Sequence, residues 1–198
     1  ICMSNADSTE TKILTAAREL FMEKGYHDTS MSAIANRAGL GKGTLYWHFD
    51  SKDELFKKMI TREGKVVLEE LKKLSEDDLP VEVILKEFIK IRIKRTAKHR
   101  QSSQIFMDKD NFANKEFKKT MFEIYFSIVE ELEKIIIRGN QEGIFKIEKP
   151  NKTAAAIMGT INGLCSAIFT DKDQDFNLEE NVDLIYDLIM DGIRKREV

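Results

Sequence analysis

The side chains best suited to binding chemistry lie close together in this sequence, at positions 42–48. They combine a positive charge, hydroxyl groups and aromatic rings with polar edges: Lys42, Thr44, Tyr46, Trp47 and His48. A positive charge attracts phosphates, and hydroxyl, imidazole and indole groups hydrogen-bond to phosphate oxygens or base edges. No HExxH motif, paired cysteines or Ser/His/Asp grouping occurs. The sequence therefore favours a nucleic-acid contact surface over a catalytic or metal site.

The spacing within this segment predicts a short helix with one buried side. At about 100° per residue, Leu45 and Phe49 fall on one side, with Gly43 and Trp47 nearly opposite. Gly43 would let the helix backbone come close to a ligand surface, and a polar, aromatic face would suit the major groove of DNA. The alternative is that Tyr46 and Trp47 pack under the following helix and that the neighbouring lysine is merely solvated.

A second short helix precedes this one. Ser30 is a typical N-cap, Ile34 and Ala38 follow at helical spacing, and Gly39 ends the helix. Two short helices joined by Gly-Leu-Gly predict a helix-turn-helix motif over about residues 31–50. In that arrangement Ser30 and Ser32 would donate hydrogen bonds to phosphates on the other side of the groove.

Composition and apolar spacing predict an all-α protein of about nine helices. Ten glycines and two prolines are too few for the many turns of an all-β chain of 198 residues. Ser51 and Glu54 form a capping box that opens a long helix. The expected helices span residues 9–24, 31–38, 42–49, 51–74, 81–98, 102–109, 114–139, 153–170 and 178–196.

Two of these helices carry more apolar residues than a single face needs. The helix over 114–139 has one stripe through Phe117 and Met121 and a second through Phe122 and Phe126, which predicts that it is enclosed. The stretch 153–170 has no charged residue, but Asn162 and its hydroxyl groups favour a buried helix over a membrane span.

Charge and cysteine content limit the remaining possibilities. The chain has 32 basic and 34 acidic residues, a net charge of −2, and residues 1–60 hold eight of each sign. Any DNA-binding surface must therefore be local. Cys2 and Cys165 provide no disulfide framework or zinc site. Residues 1–11 lack a basic start followed by an apolar run, so we expect a cytoplasmic protein. Because no cofactor or metal motif and no convincing membrane span is found, we also expect no cofactor, metal or membrane partner.

Residues 12–56 resemble the N-terminal domain of the TetR/AcrR family of bacterial transcriptional regulators. Four spaced elements agree with it: A-x-x-L-F at 17–21, G-Y at 25–26, I-A-x-x-A-G at 34–39, and L-Y-x-H-F at 45–49 with a lysine three residues later. The resemblance implies a DNA-binding domain over residues 8–52 and a ligand-binding and dimerisation domain over 53–198. It places DNA contacts at Lys42, Gly43, Thr44, Tyr46, Trp47 and His48, with Lys52 on a phosphate. Gly41 departs from the many relatives that carry serine or another side chain there.

The resemblance also implies a homodimer, because members of this family pair through their last two helices. The sequence supports this through a stripe of small residues, which lets another helix approach closely: Ala155, Gly159, Gly163 and Ala167. On the last helix we expect Ile185 and Ile189 to contribute to the same interface. The alternative is that both helices pack only within one subunit.

The middle of the chain is the expected ligand-binding region. Aromatic and methionine side chains concentrate there, and some of them would line a pocket for a small apolar or amphipathic effector: Phe106, Met107, Phe122, Tyr125 and Phe126. Arg95 falls on the same helix line as Ile84, Phe88 and Ile91, so it could bind an anionic group on an effector. The alternatives are core packing for the aromatic residues and, for Arg95, an internal ion pair or a side chain that reaches solvent.

Together these features predict a ligand-responsive transcriptional regulator, usually a repressor in this family, that binds a palindromic operator as a dimer. A helical small-molecule-binding protein without specific DNA binding is one alternative. A sequence-neutral, architectural DNA binder is another.

Overall fold

The computed structural model describes residues 5–98, 115–170 and 176–193, and these residues form eight helices. The helices are α1 (Asn5–Lys24), α2 (Met31–Arg37), α3 (Lys42–His48), α4 (Lys52–Glu76), α5 (Val81–Lys98), α6 (Lys115–Gln141), α7 (Pro150–Thr170) and α8 (Leu178–Ile193). The all-α fold is confirmed. The expected helix over 102–109 lies outside the described residues, so eight of the nine expected helices are seen. Within the described residues, no helix is both long enough and apolar enough to cross a membrane.

The first of two compact units contains, of the described residues, 5–63 and 115–119. It holds α1, α2, α3 and the start of α4 around an aromatic centre. The ring of Phe21 lies 5.3 Å from the ring of Tyr26 and 6.0 Å from that of Phe56. Gly25 and Gly39, with φ of +81° and +68°, end α1 and α2 in a backbone conformation that strongly favours glycine. These sharp ends allow α2 and α3 to fold back against α1 around one small core.

The second unit contains the described residues among 64–98 and 120–198. The last part of α4 and helices α5, α6, α7 and α8 share one apolar core, whose fully buried members include Leu71, Phe88, Leu132 and Ile161. After α6, the side chain of Asn140 closes the connection by bonding to both backbone groups of Ile147, at 2.8 and 3.0 Å.

The structure corrects in part the expectation that α6 is enclosed on two sides. Ile128 and Leu132 are buried as the first stripe predicts, and Ile136, further along the second stripe, is buried too. Phe122 and Phe126, where the second stripe begins, are instead 60% and 58% exposed. Their rings stack on each other on the outside of the helix, with centroids 6.4 Å apart. An exposed aromatic pair has the same helical spacing as a buried one, so periodicity alone could not distinguish them.

Candidate nucleic-acid interface

Helix α3 turns one face inward and presents the other to solvent. Leu45 and Phe49 are buried, whereas Lys42, Gly43 and Thr44 are exposed. Tyr46 is 50% exposed and Trp47 is 76% exposed, and His48 is half-buried with its ring 4.7 Å from the indole. The alternative in which both aromatic residues pack under the following helix is therefore wrong. The exposed face of α3 combines one lysine, one hydroxyl group and two large rings with polar edges.

No side chain caps the N-terminus of α3. Gly41 is the N-cap residue and makes no side-chain hydrogen bond. An added Cβ at Gly43 would meet no atom within 4 Å. The backbone at this end of α3 is therefore open to close approach from outside.

Helix α2 begins with the predicted cap. The backbone N–H of Ala33 donates to Ser30 Oγ at 3.1 Å, and the exposed Ser30 hydroxyl keeps its own hydrogen for another acceptor. Ser32 is half-buried in the first turn. Just before the cap, Thr29 Oγ1 donates to the carbonyl oxygen of Gly25 at 2.7 Å, which fixes the turn between α1 and α2.

A salt-bridge cluster joins α2 to α1, and the sequence reasoning missed it. The two terminal nitrogens of Arg37 each donate to Glu23 at 2.8 Å, and one also donates to Glu19 at 3.2 Å. The hydrogen bond from Arg37 holds the pKa of Glu23 below its ordinary value, and hydrogen bonds to both glutamates raise the pKa of Arg37. The glutamates lie 14 and 18 residues away on another helix, so no local pattern indicated them.

Lys52 is used inside the fold, which corrects its expected role on a phosphate. Its ammonium donates to the carbonyl oxygens of Tyr26, Thr29 and His27 at 2.7, 2.8 and 3.3 Å. It also lies 4.2 Å from the centre of the Tyr26 ring, and burial lowers the pKa of Lys52. Three carbonyls use all three of the donors that an ammonium has. Lys52 therefore fixes the loop between α1 and α2 and, through it, the position of Ser30.

The connection between α3 and α4 is held by the predicted capping box. The backbone N–H of Glu54 donates to Ser51 Oγ at 3.1 Å, and a carboxylate oxygen of Glu54 accepts from the backbone N–H of Asp50 at 2.8 Å. The hydroxyl of Tyr26 also donates to the carboxylate of Asp53 in the first turn of α4. Only three residues, 49–51, separate α3 from α4, and the capping box fixes the last two of them, so the end of α3 is held firmly.

The expected effector residues fall into three groups. Phe106 and Met107 lie outside the described residues. Phe122 and Phe126 are exposed, as described above, and Tyr125 is half-buried between them, with its ring 5.6 Å from that of Phe126. The described residues therefore do not bring these aromatic side chains together into an enclosed pocket.

Arg95 makes the internal ion pair that the sequence left open as an alternative. Its Nη2 lies 2.6 Å from Glu70 Oε1, and its Nε donates to Glu70 Oε2 at 3.1 Å. The sequence did not single out Arg92, the other arginine of α5 among the described residues. Its Nη2 donates to Asn162 Oδ1 at 2.8 Å. Among the described residues, no group of three or more His, Cys, Asp or Glu side chains is arranged to hold a metal.

The expected interface residues of α7 and α8 divide by exposure. Gly159, Gly163 and Ala167 are exposed, and Ala155 is half-buried. In contrast, Ile185 and Ile189 are only 4% and 6% exposed, because they belong to the core of their own subunit. The outward residues of α8 are Leu184 and Leu188, at 60% and 62% exposure. The expectation for Ile185 and Ile189 was wrong, since the apolar residues of α8 occupy both sides of the helix.

Comparison with known proteins agrees with this architecture. Residues 13–59 match the family described as bacterial regulatory proteins of the tetR family, and residues 59–192 match the YsiA-like protein C-terminal region. The HTH-type transcriptional regulator UidR of Escherichia coli strain K12 is 43% identical over 65 residues, which cover 33% of this chain and 33% of UidR. The chain thus aligns with only a third of that relative's length.

Two solved structures resemble nearly the whole chain. The fatty acid degradation regulator FadR from Bacillus halodurans aligns with a TM-score of 0.76 at 21% identity, over 99% of this chain and all of that one. FadR from Bacillus subtilis, determined in complex with stearoyl-CoA, aligns with a TM-score of 0.74 at 23% identity, over 92% and 98% of the two chains. These likenesses show a shared fold. Because the two family matches together cover residues 13–192, the chain belongs to the TetR family of bacterial regulatory proteins.

Proposed function

We propose that this protein is a cytoplasmic, homodimeric transcriptional regulator that binds a palindromic operator through α3 and is released by a small amphipathic effector. Residues 8–52 would bind DNA, and residues 53–198 would bind the effector and form the dimer. Repression is the proposed mode, because it is the usual one in this family. The observation that carries the proposal is the outward face of α3, where Trp47 is 76% exposed on a helix whose other side is anchored by Leu45.

The proposed contacts follow from side-chain chemistry. Trp47 and Thr44 reach base edges or a thymine methyl group, Lys42 pairs with a phosphate, and Tyr46 and His48 hydrogen-bond to the backbone. Gly43 permits close approach. From α2, Ser30 and Ser32 donate to phosphates across the groove. Lys52 is left out of this set because its donors are already used within the fold.

The low net charge of the N-terminal segment bears on how tightly one subunit binds. Residues 1–60 hold eight basic and eight acidic residues, and Arg37 and Lys52 are both engaged within the protein. Nonspecific attraction to phosphates is therefore weak for one subunit. Tight binding to a specific site therefore requires two copies of the DNA-binding domain, which a dimer on a palindrome provides.

The proposed dimer surface consists of the exposed small residues of α7 and the two exposed leucines of α8. Gly159 and Gly163 let a partner helix come close, and exposed leucines of a monomer would otherwise remain in water. Pairing through both helices of each subunit would produce a four-helix bundle.

The proposed effector class is supported by one observation: the B. subtilis structure with the same fold was determined with stearoyl-CoA. Effector binding would favour a state in which the two α3 helices are no longer one DNA turn, about 34 Å, apart.

The proposal is tested by selecting fragments of the source genome on the purified full chain at moderate salt and sequencing those retained. An enriched imperfect palindrome supports a specific regulator. Equal retention of all fragments favours the architectural DNA binder, and retention of none favours the small-molecule-binding protein without DNA affinity.

A further inference from the structure

The positive residues of α5 differ in how they are paired. Three of them form ion pairs with carboxylates. Lys86 Nζ lies 2.8 Å from Asp183 Oδ1, and Lys90 Nζ lies 2.7 Å from Glu179 Oε1. Arg95 Nη2 lies 2.6 Å from Glu70 Oε1. Lys94 is exposed to solvent. Arg92 differs from all of these, because within the described part of the chain it is neither exposed like Lys94 nor paired with a carboxylate. Its Nε is fully buried and has no hydrogen-bond partner there.

Arg92 lies on the inner side of α5. One turn before it are Phe88 and Ile89, both fully buried, and one turn after it is Thr96, also buried. Its one hydrogen bond, from Nη2 to Asn162 Oδ1, crosses to α7. One turn further along both helices, Thr96 Oγ1 lies 3.2 Å from Cys165 Sγ. Two polar contacts thus join the buried side of α5 to α7 among apolar residues, and one of them involves a guanidinium.

This arrangement is unfavourable for the chain alone. A buried donor without an acceptor destabilises the folded state, and the cost is larger when the group is charged. Burial accordingly lowers the pKa of Arg92, yet a guanidinium still keeps its proton in proteins. The amide of Asn162 supplies a dipole but no negative charge. An anionic oxygen at Nε would supply both the missing acceptor and the missing charge.

We propose that Arg92 and Asn162 bind the anionic head group of the effector, a carboxylate or a phosphate monoester carried on an apolar body. The proposal rests on the proposed function, since it assigns a recognition site to the same effector. Because Asn162 Oδ1 accepts from Arg92, its amide N–H groups remain as a second donor set. The apolar side chains around Arg92 require that the rest of the ligand be apolar.

The test is calorimetric titration of the full chain with three ligands of equal tail length, each below its micelle concentration. Dodecanoate carries a carboxylate, dodecyl phosphate carries a phosphate monoester, and dodecanol is neutral. Wild type is compared with Arg92→Met, which keeps the bulk and removes the charge, and with Arg95→Met, which removes the arginine that already has a carboxylate partner.

We expect at least one of the two anions to bind wild type and to bind Arg92→Met about tenfold or more weakly. The anion with the larger loss identifies the head group. Dodecanol should bind wild type and Arg92→Met equally, and Arg95→Met should bind the anion like wild type. Arg92→Lys keeps the charge without the Nε donor and should fall between wild type and Arg92→Met.

The proposal is overturned if neither anion binds wild type, if Arg92→Met binds the anion as tightly as wild type, or if dodecanol binds wild type as tightly as the anions do. Thermal unfolding of each variant reports whether it folds. If Arg92→Met does not fold, the anion affinity of Arg92→Lys relative to wild type tests the proposal instead. None of these titrations contains DNA. If the genome selection finds no specific site but Arg92→Met loses anion binding, the proposed regulator is contradicted and the anion site at Arg92 is still supported.

Discussion

At the residue scale, exposure and hydrogen bonding distinguish the side chains that stabilise the helix-turn-helix from those that are available to contact DNA. Lys42 and Lys52 are both lysines near the ends of α3, but Lys42 is exposed and Lys52 bonds to three backbone carbonyls. Trp47 and Leu45 are both large and apolar, but one points out and the other is fully buried. These pairs allow matched substitutions.

The two lysines should respond in opposite ways to replacement by methionine. Lys52→Met removes an ammonium that donates to three carbonyls, two of them in part-buried contacts, and should lower the free energy of unfolding by about 1.5–3 kcal/mol. Lys42→Met should leave stability unchanged and reduce the slope of log affinity against log salt by about 1 per chain. Urea unfolding and DNA titrations at several salt concentrations measure both effects. Equal stability of the two variants would contradict the role assigned to Lys52.

Trp47 should matter for DNA affinity and not for folding. Trp47→Ala removes a base contact of about 1–3 kcal/mol, so affinity for the selected palindrome should fall roughly tenfold or more. Its melting temperature should stay close to that of wild type, since the side chain is 76% exposed. Leu45→Ala is the contrasting control, because a cavity in the core lowers stability first. An unchanged affinity in Trp47→Ala would exclude this residue from the interface.

At the element scale, the helix-turn-helix is held by contacts between distant residues. Arg37 on α2 pairs with Glu19 and Glu23 on α1, and Lys52 at the start of α4 fixes the loop between α1 and α2. Each contact restrains α2, and α2 packs against α3, where Ile34 of α2 and Leu45 of α3 are both fully buried. The orientation of α3 therefore depends on ionic contacts as well as on the small apolar core.

The contact between α1 and α2 should weaken in acid. The pKa of Glu23 is lowered in the folded protein from its ordinary value of 4.5, so its stabilising effect is complete above pH 4.5 and is lost as the pH falls through the lower folded value. Arg37→Met should lower the melting temperature at pH 7, and the difference from wild type should narrow towards pH 3. A difference that stays constant between pH 7 and pH 3 would show that this pair does not contribute.

The sequence predicted the helices well because their signals are local. Ser30 and the Ser51–Glu54 box mark helix starts, and Gly25 and Gly39 mark helix ends. It was harder to predict which face of each helix packs into the core and which faces solvent. Helix α8 has apolar residues at 184, 185, 188 and 189, so spacing could not show which pair enters the core. Arg92 and Arg95 are similarly close in sequence, and only the position of Glu70 on another helix decides which one is paired.

At the scale of the whole molecule, the proposed dimer depends on Leu184 and Leu188 rather than on Ile185 and Ile189. Two-fold pairing is the commonest form of oligomer and matches the symmetry of a palindromic site. The same helix thus has one apolar side for its own subunit and another for a partner. Substitutions at adjacent positions can separate these two roles.

Leu188→Glu should convert the dimer to a monomer, because it places two charges in an apolar interface. Ile189→Ala should instead lower the free energy of unfolding by about 2–5 kcal/mol through a cavity in the core, with the dimer retained wherever the protein is folded. Sedimentation velocity and urea unfolding distinguish the two effects. A dimeric Leu188→Glu variant would place the interface elsewhere.

The measurement that bears most closely on DNA binding by α3 is the emission of Trp47 during titration with the selected palindrome. Trp47 is the single tryptophan of the chain, so its fluorescence reports from the exposed face of α3 alone. If α3 of each subunit contacts DNA, the emission changes, the change saturates at two chains per palindrome, and a scrambled duplex at moderate salt produces none. An emission that stays constant while the palindrome is fully bound would exclude α3 from the DNA interface.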